Sequence, residues 1–254
     1  MTTPAPIRVA VLGNSVPLLV VPSRQRREDG TYAERLPRLL AEAGLTAAVS
    51  CHARLFELIH EGARRYGHDI APLQPDVLVL HYGVLELQPN VLPTTLNRSL
   101  TRSGPGGRGL RRLWQRGLAP RLWPAARAWQ RWASARVGVR TWRLRPDRFV
   151  AELDHLVRVA RATQALVLVL DVHDTGPRLE HFMPGTARRR AVLQGAVRAY
   201  VDDRADPGVR LVAVSELVRP LGDAASVDGL HLGPEGHALV AEALAKEITA
   251  YGAG

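Results

Sequence analysis

Five largely apolar runs, each stopped by glycine or a polar residue, constrain this chain more than any other feature: Ile7 to Leu12, Leu45 to Cys51, Pro75 to Gly83, Ala165 to Val172 and Val209 to Val214. Short runs that lack polar alternation are buried on both faces, the condition of strands in a parallel sheet covered by helices. The segments between them carry the other period. Tyr32, Leu36, Leu39, Leu40 and Ala43 recur at helical spacing and Gly44 stops them; Leu55, Leu58, Ile59 and Ala63 make a second inward face, and Phe149, Leu153, Leu156, Val157 and Ala160 a third. Further helices are predicted over 186–202 and 234–251, with a loop through His181, Met183, Pro184 and Gly185. The alternation predicts one three-layer α/β/α domain over residues 1–254, built on a five-stranded parallel sheet.

Parallel strands place their carboxyl ends along one edge of the sheet, and ligands bind in the crevice there. The first run ends in Gly13-Asn14-Ser15, where Gly13 permits a tight turn, Asn14 tolerates unusual dihedrals and Ser15 brings a hydroxyl to the crevice. The ends of the next two runs add Ser50, Cys51, His52, His81, Tyr82, Gly83 and Glu86, and the fourth run points His173 and Asp174 the same way. Each has an ordinary alternative: Cys51 as a small buried hydrophobe, and the histidines as hydrogen-bonded structural groups. The sequence contains no HxxxH motif and no Cys/His cluster with ligand spacing, so neither a metal nor another cofactor is expected.

Near the other end stands Asp228-Gly229-Leu230-His231. A serine hydroxyl is a weak nucleophile until a base takes its proton, and that base must be held in one tautomer by a carboxylate or equivalent acceptor. A separation of three residues lets one loop present both groups to Ser15. His237, in Gly236-His237-Ala238 at a helix start, competes as the base, but its position suits packing or capping.

Residues 98–148 differ in character from the rest. They hold fourteen arginines, all five tryptophans and a single acid, Asp147. We read them as an inserted helical cap or lid, with Ser103 to Gly107 as a flexible lead-in and approximate helical spacing of Leu110, Leu113 and Trp114, then Leu122, Trp129 and Trp132. Arg111, Arg112 and Arg116 are candidates for holding an anionic part of a substrate, an acidic carrier protein or an anionic surface. The alternative is that the tryptophans cover the sheet and the arginines are solvated. Formal charge is +10 and Lys246 is the only lysine, a usage that points to a GC-rich genome. Nucleic acid is not an expected partner, because no recognised binding module accompanies the charge. No apolar run reaches the roughly 20 residues of a membrane-spanning helix. Met1 to Pro6 carry no basic residue ahead of the first apolar run, and Cys51 is the only cysteine. A secretory signal and internal disulfides are therefore not expected, and the expected compartment is the cytoplasm.

Gly13-Asn14-Ser15, the block at Gly83, and Asp228-Gly229-Leu230-His231-Leu232-Gly233-Pro234-Glu235-Gly236-His237 together resemble the SGNH (GDSL-type) hydrolase superfamily. The resemblance covers the α/β core and leaves the insertion aside. It implies a flavodoxin-like sheet and a serine-dependent esterase, thioesterase or acyltransferase. Ser15 would be the nucleophile, His231 and Asp228 its activators, and the oxyanion would be held by the serine amide, a glycine amide and an asparagine side chain. The chain departs from that pattern in three places. Asn14 stands where aspartate is usual, Ser50-Cys51-His52-Ala53 lacks the second-block glycine, and Gly83-Val84-Leu85-Glu86 replaces Gly-x-Asn-Asp. Leu85 cannot donate a hydrogen bond, and one such donor is worth on the order of 3 kcal/mol. Asn90, His52 and His81 are the candidate replacements. A second class of function fits the same fold: a non-catalytic binding protein for an anionic glycan, a lipid surface or an acidic carrier. Leu85 favours that class, whereas the joint presence of Ser15, Asp228 and His231 favours the enzyme.

Overall fold

The apolar runs become strands β1 (Ile7–Gly13), β2 (Ala47–Cys51), β3 (Val77–His81), β4 (Leu166–Leu170) and β5 (Val209–Val212). They belong to a computed structural model that describes residues 5–21, 30–89, 119–137, 142–226 and 228–252. The strands pair parallel in the order β2-β1-β3-β4-β5, so β1 sits between β2 and β3, with Val9 opposite both Val49 and Val77. Every residue of β3 and β4 is buried, as their runs of Val and Leu require, the one polar member, His81, included, whereas the edge strand β2 is half exposed.

The helices are α1 (Tyr32–Glu42), α2 (Ile59–Asp69), α3 (Ala119–Val137), α4 (Pro146–Arg161), α5 (Gly176–Phe182), α6 (Thr186–Arg204), the one-turn α7 (Val214–Leu217) and α8 (Pro234–Gly252). At the head of α1 the Glu34 carboxylate reaches back to the Thr31 N–H at 2.7 Å, closing a capping interaction. Helices α1 and α8 pack together as one outer layer, and α2, α4 and α6 form the other. This is the three-layer parallel α/β/α architecture that the sequence pattern predicts.

Four local expectations are revised. Helix α2 begins at Ile59, so Leu55 lies ahead of it and is exposed instead of facing inward. The expected loop through His181 contains α5, and Val214 opens α7 where the fifth strand was expected to end. Trp129 and Trp132 are exposed on α3 and do not cover the sheet, although Trp142 and Leu144, at the end of the expected insertion, pack against the core. Asn90, Arg111, Arg112, Arg116 and the Ser103 to Gly107 lead-in lie outside the described residues. Among the described residues no helix is long and apolar enough to cross a membrane.

Candidate active site

The site is built on the turn after β1. A Cβ on Gly13 would lie 2.6 Å from the His81 carbonyl oxygen and 3.0 Å from Pro17 Cγ, so only glycine lets β1 close on β3 here. Asn14 is buried, and its Oδ1 accepts the Val16 N–H at 3.0 Å, which folds the chain over and presents Ser15 at the head of a single 3-10 turn, Val16–Leu18. Asn14 Nδ2 is buried without a hydrogen-bond partner.

From the opposite end of the chain, the loop ahead of α8 brings His231 Nε2 to 2.8 Å from Ser15 Oγ. His231 Nδ1 lies 2.6 Å from Asp228 Oδ2, while Asp228 Oδ1 accepts the amides of Leu230 and His231, each at 2.8 Å. Burial acts to raise the Asp228 carboxyl, but the His231 ring and the two amides outweigh it and hold the group below the usual carboxylate range. With Asp228 ionised, Nδ1 of His231 carries the proton and Nε2 is left as an acceptor facing the serine hydroxyl.

The remaining strand-end residues divide into those held by the fold and those facing outward. Gly83 has φ +120, and a Cβ there would meet Val172 Cγ2 at 2.3 Å, so glycine is required. Its N–H donates to Glu86 Oε2 at 2.8 Å, while Glu86 Oε1 accepts the Ile59 N–H at the first turn of α2, also at 2.8 Å. Gly83 and Glu86, both pocket candidates, thus bind each other and α2, which leaves the Gly83 amide engaged within the fold. Burial pushes the Glu86 carboxyl up to about 7. The loop beyond is fastened by the buried Arg189, whose Nε donates to the Leu87 carbonyl at 2.6 Å. Cys51 is exposed, contrary to the expectation of a buried hydrophobe, because it ends an edge strand. His52 is half-buried, and burial together with the neighbouring Arg65 lowers its pKa.

Sequence reasoning missed how the buried histidines are arranged. Tyr32 on α1 donates its backbone N–H to His237 Nδ1 at 3.2 Å, so the His237 proton sits on Nε2 and is donated to the Leu19 carbonyl at 3.2 Å. The Tyr32 hydroxyl contacts His81 Nδ1 at 3.1 Å. His173, just past β4, is fully buried and neither ring nitrogen has a partner; burial and the nearby His231 lower its pKa to about 4. Two further groups, Glu57 and Arg65, pair at 2.6 Å, and Glu57 also accepts the Tyr82 hydroxyl at 2.7 Å, tying the loop after β2 to the end of β3. The strand-end rule drew attention to His173 and Tyr82; no spacing signal pointed to Glu57 or Arg65. Among the described residues no three His, Cys, Asp or Glu side chains converge in a way that could hold a metal ion.

No family model matches the sequence, and no curated protein matches it. Solved structures do. A lipase/acylhydrolase from Enterococcus faecalis is similar with a TM-score of 0.59 at 13% identity, covering 96% of each chain. An acetylxylan esterase from Geobacillus stearothermophilus gives 0.59 at 15% identity over 98% of this chain and 96% of its own. A psychrotrophic esterase from Pseudoalteromonas sp. gives 0.56 at 12% identity over 98% of this chain and all (100%) of its own. With near-complete coverage in both directions and the same parallel sheet flanked by helices, the chain has the SGNH hydrolase fold.

Proposed function

We propose that this protein is a serine acyl hydrolase that cleaves an ester or thioester through Ser15. One observation carries the reading: the continuous hydrogen-bonded line from Asp228 through His231 to Ser15 Oγ, at 2.6 and 2.8 Å, formed by groups that the fold would not otherwise need to align. In this mechanism Ser15 Oγ attacks the acyl carbon as its proton passes to His231 Nε2, and the Asp228 carboxylate stabilises the imidazolium. Collapse of the tetrahedral intermediate expels the alcohol or thiol, which takes the proton from His231. Water, deprotonated by the same nitrogen, then releases the acid; an acceptor alcohol in place of water would make the reaction a transfer. With Leu85 apolar and the Gly83 amide bound to Glu86, oxyanion stabilisation rests on the Ser15 amide and on donors other than these two. A missing side-chain donor costs about 10²–10³ in kcat, so turnover below that of a fully equipped enzyme is expected.

Intact-mass analysis after exposure to a fluorophosphonate tests the reading without knowledge of the substrate. A single adduct mapped to Ser15, absent from a folded Ser15→Ala protein, is the expected result. Folded wild-type protein that takes no adduct would favour a non-catalytic binding protein on this fold, the reading to which Leu85 lends support.

A further inference from the structure

Helix α3 turns an unusual face outward. Ala133 and Ser134 are buried on its inner side, whereas Pro124, Ala125, Ala128, Trp129, Trp132 and Ala135 are exposed. Trp129 and Trp132 expose 51% and 47% of their surface and lie against each other, ring centroids 4.9 Å apart. The Arg136 guanidinium sits 4.2 Å over the Trp132 ring, and Arg131 is exposed as well. Ala119 to Val137 contain four arginines and no acid, in a chain of formal charge +10. Soluble surfaces rarely leave paired tryptophans in water without a partner.

The helix is linked through α5 to the loop that faces the serine. Helix α3 packs next to α5, and Leu179 of α5 lies against the loop between Asp228 and His231, where a Cβ on Gly229 would meet Leu179 Cβ at 2.9 Å. Around the same end of the sheet, Leu18 follows the serine turn, Leu55 and Phe56 follow β2, and Phe182 ends α5, all of them exposed.

We propose that the outer face of α3 docks this protein onto an anionic lipid bilayer, with the Ser15 crevice opening beside the contact. Small residues and two tryptophans give a shallow apolar face suited to the boundary between headgroups and acyl chains, where tryptophan is favoured. Arginines flanking the rings meet the phosphates, and the absence of any acid on the helix removes repulsion from an anionic surface. A protein partner would be expected to offer carboxylates to Arg131 and Arg136, but two solvent-facing indoles flanked by the exposed Ala128 and Ala135 match a fluid apolar layer better than a fixed set of ion pairs. The docking surface is independent of the serine chemistry, and its test does not use turnover.

Cosedimentation with vesicles of phosphatidylcholine alone, and of phosphatidylcholine mixed with phosphatidylglycerol, reads the interaction directly. The wild-type protein is expected to partition onto the anionic vesicles and weakly onto the neutral ones, with binding that falls as salt rises. Trp129→Ala combined with Trp132→Ala should lower partitioning by about tenfold with an unchanged melting temperature, since binding scales with inserted apolar area. Arg131→Gln with Arg136→Gln should weaken binding and flatten its salt dependence. Wild-type protein that stays in the supernatant with anionic vesicles, or a double tryptophan variant that binds as well as wild type, overturns the proposal. Retention on an immobilised acidic carrier protein without vesicle binding overturns it in favour of a protein partner.

Discussion

His231 and His237 stand close together near the start of α8, and their hydrogen bonds give them opposite assignments. In His231 the Asp228 carboxylate fixes the proton on Nδ1 and leaves Nε2 to accept from Ser15. In His237 the Tyr32 amide fixes the lone pair on Nδ1, and Nε2 is occupied by the Leu19 carbonyl; burial lowers its pKa to about 4 and keeps the ring neutral. His237 therefore belongs to the scaffold that fastens α8 to α1 and to the segment following Ser15. His237→Ala should lower stability by about 2–4 kcal/mol, from the cavity and the two orphaned backbone groups, while fluorophosphonate labelling of Ser15 persists in the folded fraction. Loss of labelling with no loss of stability would transfer the base role to His237. The Asp228/His231 pair was legible from its three-residue spacing, and so was a packing role for His237. That the Gly83 amide is engaged by Glu86 was not legible, because it depends on the direction in which one N–H points, and composition carries no such information.

At the scale of elements, the strands were legible because β3 and β4 are buried on both faces and show it as runs of Val and Leu, 77–80 and 166–170. Boundaries and short elements were not. Helix α5 spans seven residues and opens with Gly176-Pro177, too short to display a period and begun by residues that signal turns. Leu55 was assigned an inward face because it precedes Leu58 and Ile59 at helical spacing, yet Phe56 adopts φ +60 and breaks the chain before α2 starts. The contact between β1 and β3 at Gly13 gives a direct test of how far the serine turn depends on the sheet. Gly13→Ala would press a Cβ against the His81 carbonyl in the strand backbone, which has little freedom to yield. A loss of about 1–3 kcal/mol is expected, read as a lower urea midpoint, together with slower labelling of Ser15. An unchanged midpoint would mean that the two strands are not in close contact at this point.

The whole molecule carries opposing titrations. The buried His173 and His237 are lowered to about 4, and His81 lies well below its ordinary 6.5, in each case chiefly by burial; Glu86 is raised from 4.5 to about 7 by burial. Between about pH 5 and 6 the unfolded chain therefore binds about one more proton at each of His173 and His237 and about one fewer at Glu86, and the lowered His81 adds to the excess. Stability should rise with pH across that window, by about 1.4 kcal/mol per unit from His173, His237 and Glu86 and more steeply with His81, and cease to rise above it. Glu86→Gln removes the opposing proton and should steepen the acid limb by about 1.4 kcal/mol per unit. Urea titrations at several pH values check both, and a wild-type stability that is flat from pH 5 to 6.5 would refute the assignment of neutral buried histidines. The hydrogen bond between Ser15 and His231 joins residues 216 positions apart, so the turn after β1 waits for the loop ahead of α8. On the ribosome, Ser15 is made well before His231, so in the proposed mechanism it stays an inert alcohol until the loop ahead of α8 has followed it. A serine activated in this way is chemically silent toward acyl groups until the sheet has closed and brought the two loops together.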